Sequence, residues 1–300
     1  MESVARVVLV GGHESAEAAD LERFAALIDN AVASAPGRGL HNLVSRALED
    51  GETVVVVPMT FGRNPTMVAD TAKTLQWLAP KHPGRVALAA PFGQSDHLTA
   101  WLRTAANRAR ATDADTALLI VGAPSNPFDE AELHRLAYLV ATHGALGEVG
   151  VAIADDGEAL DAAARRLRLL GAERIVGVPA GFADGLPAAD VDFAGPLMGD
   201  PAVGRVIRAR VRDALAALAA GHAGIADGLM ADHGHGYAHS HAFDEQGGAH
   251  GHSHTHPHAH SHIHADGTAH EHEHDGAHAH FHDHDADDRH EPVTAHDHHH

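Results

Sequence analysis

The chain has 300 residues, a formal net charge of −20 and no cysteine. The acidic balance argues against nucleic acid as a partner, because phosphate neutralisation needs clustered Lys and Arg. Without cysteine the chain cannot form disulfides, thiolate metal sites or an iron–sulfur cluster. No apolar run approaches the ~20 residues of a membrane span, and the N-terminus lacks a signal-peptide pattern, so we expect a cytoplasmic protein with no membrane partner.

The first part of the body alternates Val-rich runs with longer helical patterns. We predict strands at residues 4–10, 53–57 and 86–89. Helices are predicted from the loop after His13 to about Val32, and over residues 65–78 and 96–110. Residues 34–39 are too short and polar for a strand, which predicts that this part either lacks a strand that the next part has or has a degraded one.

The second part repeats the order. Strands are predicted at residues 116–121, 149–153, 174–178 and 191–194, and helices at 129–142, 158–170 and 201–219. Continuous apolar strands separated by helices favour a parallel sheet covered on both faces. We therefore predict an α/β fold of two tandem halves, residues 1–112 and 113–222, from duplication of a unit of about 110 residues.

The remaining segment, residues 223–300, is predicted to be a disordered tail that binds divalent transition metals. It offers almost no apolar residue for a core, and residues 231–300 contain 24 of the 31 histidines. Alternate side chains of an extended chain point the same way, so neighbouring His-x-His imidazoles can share one ion. The simpler alternative is a low-complexity tail that only increases the solubility of the protein. The predicted ligands are His250, His252, His254, His256, His258, His260, His262, His264, His272, His274, His278, His280, His282 and His284.

In the body, the candidate site follows the first strand, where residues 10–15 read VGGHES. Ligands of open α/β sheets sit outside the carboxyl ends of strands, so His13 and the loop of residues 58–64 are expected to line one cleft. Dinucleotide, P-loop and nucleophile-elbow motifs are absent, and we predict no nucleotide cofactor. His13 and Glu14 can instead be packing or capping residues, and Arg63 a solvated charge.

These motifs resemble the sirohydrochlorin chelatase family (the CbiX/SirB group of class II chelatases) in its long two-repeat form with a histidine-rich tail. The family pattern begins with a strand ending LVGHGS, similar to LVGGHES at residues 9–15. Its second motif, with VVVP, is similar to residues 54–59 and 170–179, and its PLG motif to residues 91–93 and 196–199. The family's second histidine aligns with about Thr66, and the second half has GAPS in place of the strand-end histidine.

The resemblance implies an enzyme, a cobaltochelatase-like lyase of cobalamin or related tetrapyrrole biosynthesis. His13 would bind the incoming ion or accept a pyrrole proton, and Glu14 would assist. Ser15, Arg63, Asn64 and Thr66 would contact the tetrapyrrole, with Arg63 pairing to a carboxylate. The ion is expected to be cobalt, with nickel, iron or zinc as alternatives. A non-catalytic protein that stores or delivers metal through the tail is the alternative function, and a homodimer is left open.

Overall fold

In a computed structural model of the protein, the described residues are 5–112, 115–144, 146–187 and 190–231, together with the backbone of His260–Ile263 and Ala269–His272. The chain divides into two compact units, Met1–Asp244 and Glu245–His300. Among the described residues, no helix combines the length and the apolar character that a membrane crossing requires.

The first half contains a parallel four-stranded sheet. Its strands are β1 (Arg6–Val10), β2 (Ala31–Ser34), β3 (Val54–Pro58) and β4 (Val86–Leu88), in the order β2-β1-β3-β4. The central pair aligns Val8 with Val56. The helices are α1 (Glu22–Ala25), α2 (Arg38–Glu49), α3 (Pro65–Leu78) and α4 (Ser95–Thr112), with 3-10 turns at His13–Ser15, Ala19–Leu21 and Ala79–Lys81.

The second half repeats this arrangement. Its strands are β5 (Thr116–Gly122), β6 (Val149–Ile153), β7 (Arg174–Pro179) and β8 (Asp192–Phe193), all parallel in the order β6-β5-β7-β8. Its helices are α5 (Pro127–His143), α6 (Gly157–Leu169), α7 (Asp200–Ala219) and α8 (Ile225–Leu229). The identical relative strand order confirms the predicted α/β fold of two tandem halves.

The two halves exchange helices. α4 follows the first sheet in the chain but packs against β5 and β7 of the second sheet. α7 follows the second sheet but packs against β3 and β4 of the first. As a result, Val57 and Ile207 belong to the same buried cluster as Ile120 and Leu102, and each half depends on the other for its core.

In the first half the predicted helix up to Val32 is wrong, and the strand predicted to be missing or degraded is present as β2, at the end of that region. All four residues of β2 are only half-buried at the sheet edge, so the apolar run that marks the other strands is absent. The helix predicted up to Val32 is reduced to 3-10 turns and the four-residue α1.

The body extends past residue 222, where the tail was expected to begin. α8 packs against α3 and β4, and its first residue, Ile225, is buried. The amide of Leu88 donates to the Ala223 carbonyl oxygen at 2.8 Å, which continues the hydrogen bonding of the sheet edge into this segment.

In the second unit, β9 (His260–Ile263) pairs with β10 (Ala269–His272) in antiparallel orientation. The register aligns His262 with His270 and His260 with His272. The other predicted tail ligands lie outside the described residues, as does most of the segment predicted to be disordered: His250, His252, His254, His256, His258, His264, His274, His278, His280, His282 and His284.

Candidate functional site

The carboxyl ends of β1, β3, β5 and β7 border a cavity of about 220 Å³ within the body. Its lining comes from both halves and includes His13, Glu14 and Arg63 from the first, and Gly122 and Ala180 from the second. The cavity joins the ends of both sheets, and from the loop of residues 58–64 its lining includes Arg63 alone.

Two glycines allow the His13 loop to form. After β1 ends at Val10, Gly11 and Gly12 lead into the 3-10 turn that carries His13. A Cβ atom on Gly11 would overlap the hydroxyl of Ser15, and one on Gly12 would lie 2.5 Å from Nδ2 of Asn64. The close approach of backbone and side chains therefore requires glycine at both positions.

The His13 ring lies between the two halves. Its Nδ1 atom is 3.1 Å from Nδ2 of Asn64 and 3.8 Å from Oδ2 of Asp129 in α5. Its Nε2 atom is buried and has no hydrogen-bond partner among the described residues. Burial, reinforced by the positive charge of Arg63, lowers the pKa of His13 from 6.5 to about 4, so the ring is neutral at physiological pH.

Glu14 connects the loop after β1 to the loops that follow β3 and β7. Its carboxylate accepts hydrogen bonds from Oγ1 of Thr60 at 2.5 Å and from the Phe61 amide at 2.8 Å. Its backbone oxygen accepts from the Phe182 amide, also at 2.8 Å. Burial raises the pKa of Glu14, against the opposing effects of Arg63 and of these hydrogen bonds. Glu14 therefore holds both halves at the cavity and takes up a proton more readily than an exposed glutamate.

Arg63 is a buried cation, with 1% of its surface exposed. Its Nη1 donates to the Ala180 carbonyl oxygen at 3.1 Å, which ties the β3 loop to the end of β7. Its Nε and Nη2 groups have no hydrogen-bond partner among the described residues. The interpretation of Arg63 as a solvated loop charge is wrong, because a buried guanidinium with unpaired N–H groups favours an anionic partner.

The other predicted site residues, Asn64, Ser15 and Thr66, are not part of the cavity lining. Asn64 caps α3, since its Oδ1 accepts from the Met67 amide at 3.0 Å. Ser15 is fully buried and donates to the Gly12 carbonyl oxygen at 3.2 Å, so its hydroxyl is directed to its own loop. Thr66 is half-buried in the first turn of α3 and does not contribute to the cavity lining.

Asp129 is the site residue that the sequence analysis missed. It is 2% exposed, lies in the first turn of α5 and accepts from Nδ2 of Asn126 at 2.7 Å. A signal was present, because Asn126-Pro127 marks a helix start just after the end of β5, the equivalent of β1. The contact with His13 joins positions more than a hundred residues apart, and local patterns do not encode it.

The second half has no histidine at the equivalent strand end. Gly122 closes β5 there, and a Cβ atom on it would lie 3.6 Å from Nη2 of Arg63. The Arg63 side chain therefore packs beside this strand end, with a fixed positive charge. Among the described body residues, no group of three or more His, Asp or Glu side chains is arranged to hold a metal ion.

No family model matches the chain, and the comparison with curated proteins gives no match. Among solved structures, the chain is similar to a sirohydrochlorin chelatase. The SirB structure from Bacillus subtilis subspecies spizizenii in complex with cobalt has 16% identity and a TM-score of 0.42, over 71% of this chain and 97% of that one. For SirB from Bacillus subtilis with Fe3+ the identity is 16% and the TM-score 0.44, over 73% and 99% of the two chains.

Two other similar structures have different descriptions. A multi-domain protein from Deinococcus radiodurans with structural similarity to chelatases has 17% identity and a TM-score of 0.38, over 69% of this chain and 54% of that one. An ABC transporter solute-binding protein from Conexibacter woesei has 16% identity and a TM-score of 0.39, over 73% and 82%.

Proposed function

We propose that the protein is a chelatase that inserts a divalent metal ion, cobalt first and nickel or iron as alternatives, into a sirohydrochlorin-type tetrapyrrole. The observation that carries the proposal is the pairing of His13 with Arg63 in one cavity between the halves. A neutral imidazole and a buried guanidinium with unpaired N–H groups together suit a substrate that brings both a metal-binding centre and carboxylates. The resemblance of residues 9–15 and 54–59 to chelatase motifs supports the same reaction.

His13 is assigned to the metal ion rather than to a proton. An imidazole with a pKa of about 4 is a poor proton acceptor at neutral pH, but a neutral ring can supply a nitrogen lone pair to a transition metal. Binding at a single protein ligand is weak, and weak binding suits an ion that must pass on to the macrocycle.

Glu14 is assigned to proton transfer. Two pyrrole N–H protons leave the macrocycle as a divalent ion enters, so the net charge of the ring site is unchanged; Glu14 takes up one proton at a time and releases each to solvent. A buried carboxylate with a raised pKa accepts a proton more readily than an exposed one. Its hydrogen bonds from Thr60 and Phe61 place the carboxylate at the end of β3.

Arg63 and the start of α3 are assigned to the carboxylates of the macrocycle. The unpaired N–H groups of Arg63 offer charge-assisted hydrogen bonds. Asn64 and Thr66 lie at the N-terminus of α3, where the helix dipole favours negative charge. Ser15 requires a rearrangement of its loop before its hydroxyl reaches the substrate.

The size of the cavity restricts how the substrate binds. A volume of about 220 Å³ is below the ~300–1,000 Å³ of pockets that enclose a drug-sized ligand. The macrocycle therefore lies across the mouth of the cavity, or the two halves separate slightly to admit it. In either arrangement its nitrogens complete the coordination that His13 begins.

Metal storage or delivery through the tail is the second candidate function. It is favoured by the absence of a three-ligand group among the described body residues, which leaves the histidine-rich segment as the place to retain an ion. In the chelatase proposal the same segment raises the metal concentration available to the body, because both belong to one chain.

The test is an anaerobic assay of the full-length protein with sirohydrochlorin and metal-buffered Co²⁺, followed by the absorbance change of the macrocycle. We expect a rate above the spontaneous reaction, and His13→Gln should lose most of that rate because it removes the proposed metal ligand. The exposed His41 provides the matched variant, His41→Gln, which should keep the full rate. If the wild-type protein does not exceed the spontaneous rate while it still binds Co²⁺, the chelatase proposal fails and storage or delivery remains.

A further inference from the structure

Two polar side chains from different halves of the body approach the same nitrogen of His13. Asn64, at the start of α3, is 3.1 Å from Nδ1, and Asp129, at the start of α5, is 3.8 Å from it. We infer that Asp129 is a positioning residue that turns His13 into a metal ligand, and that Asn64 holds the ring in the non-binding tautomer at rest. The inference rests on the proposed role of His13 as a metal ligand.

The orientation of the Asn64 amide determines the resting tautomer. Its Oδ1 accepts from the Met67 amide at 3.0 Å as the cap of α3, which directs Nδ2 to His13. Nδ2 is only a donor, so Nδ1 of His13 must accept and cannot carry a proton. A neutral imidazole carries its single proton on the other nitrogen, which here is Nε2.

In this tautomer His13 has no lone pair for a metal ion. The lone pair of Nδ1 is engaged by Asn64, and Nε2 is protonated. The Nε2–H group is buried without a hydrogen-bond partner among the described residues. An ion can bind at Nε2 only if that proton leaves and Nδ1 is protonated instead.

Asp129 supplies the acceptor that the other tautomer needs. It is buried, and the hydrogen bond from Nδ2 of Asn126 at 2.7 Å positions its Oδ2 atom. A movement of the His13 ring of about 1 Å brings Nδ1 within hydrogen-bond distance of that oxygen. The ring then takes up a proton at Nδ1 from solvent and releases the Nε2 proton to solvent, so its charge stays zero while Nε2 becomes a ligand. A carboxylate behind a metal-binding histidine in this way fixes the tautomer and raises the basicity of the ligand.

Two isosteric substitutions in the full chain separate this role from a structural one. Asn64→Asp keeps the cap of α3, since Asp and Asn cap equally well, but replaces the donor at Nδ1 with an acceptor. Asp129→Asn removes the carboxylate and keeps its shape. Asp70→Asn, on the exposed side of α3, is the matched control.

The readout is the nitrogen NMR signal of the His13 ring, identified by its loss in His13→Gln and followed with chelator-buffered Zn²⁺. Buffering fixes the free zinc concentration, so tail histidines do not distort the comparison. Without zinc, we expect the proton on Nε2 in the wild-type protein and on Nδ1 in Asn64→Asp. With zinc, we expect the affinity at His13 to fall about 10–100-fold in Asp129→Asn and to rise in Asn64→Asp.

The two variants are expected to change the zinc affinity in opposite directions, whereas a purely structural role of Asn64 and Asp129 would weaken zinc binding in both. The inference is overturned if both variants weaken it, if neither differs from Asp70→Asn, or if the resting wild-type proton is on Nδ1. If His13 of the wild-type protein does not respond to zinc at all, both this inference and the ligand role in the proposed function fail. A failed tetrapyrrole assay with the expected tautomer changes would overturn the chelatase proposal alone.

Discussion

The low pKa of His13 predicts that the protein loses stability in acid through this one residue. A folded-state pKa of about 4, against 6.5 for the unperturbed group, corresponds to about 3 kcal/mol of folding free energy. The unfolded chain binds a proton at this position below pH ~6.5, whereas the folded chain does so only near pH 4. The contribution is therefore complete above pH ~6.5 and is lost as the pH falls from there through 4.

The measurement is the free energy of unfolding in urea, followed by circular dichroism from pH 7.5 to pH 4. Because Gln does not titrate, His13→Gln should gain about 3 kcal/mol relative to the wild-type protein over this range. The raised pKa of Glu14 acts in the opposite direction but is present in both chains, so it cancels in the difference. The exposed His41→Gln variant should run parallel to the wild-type protein. Parallel curves for His13→Gln would refute the burial argument.

Three further outcomes are expected. Arg63→Met should raise the KM for the tetrapyrrole about tenfold or more with little change in kcat, while Arg63→Lys recovers part of the loss. Gly228→Val should lower the free energy of unfolding in urea by about 1–3 kcal/mol, because a Cβ atom at this position would lie 2.9 Å from Cβ of Ala72. The control is Asp227→Ala, on the exposed side of α8, which should change the free energy of unfolding by no more than about 0.5 kcal/mol. Removal of residues 245–300 should abolish most Ni²⁺ binding in equilibrium dialysis, and wild-type binding should weaken below pH ~6.5; full retention would contradict the tail assignment.

The sequence predicts well those elements whose burial is uniform. β3 and β5 are buried along their whole length, and their continuous apolar runs were recognised. The predicted elements do not include α2, although its residues Leu40, Val44 and Leu48 repeat at the spacing of a helix. β2 is predicted only as a missing or degraded strand, because an edge strand that is half-buried throughout carries no comparable pattern.

At the site, the sequence identifies the residues of single loops but not their partners. His13 and Arg63 were found because each follows a strand of a parallel sheet, where ligand sites occur. The burial of Arg63 and the approach of Asp129 depend on how the second half packs against the first. That packing follows from the exchange of α4 and α7, which leaves no trace in local spacing.

The helix exchange has a consequence for how the chain is made. β4 leaves the ribosome roughly 130 residues before α7 is complete, a delay of about 7–26 s at ~5–20 residues per second. During that interval the apolar face of the first sheet that α7 later covers is exposed, and Asp129 is added only part-way through it. The nascent first half therefore lacks part of its core until α7 is made, and the site around His13 is completed late in synthesis. Expression of the two halves as separate chains should yield soluble protein only when both are made together.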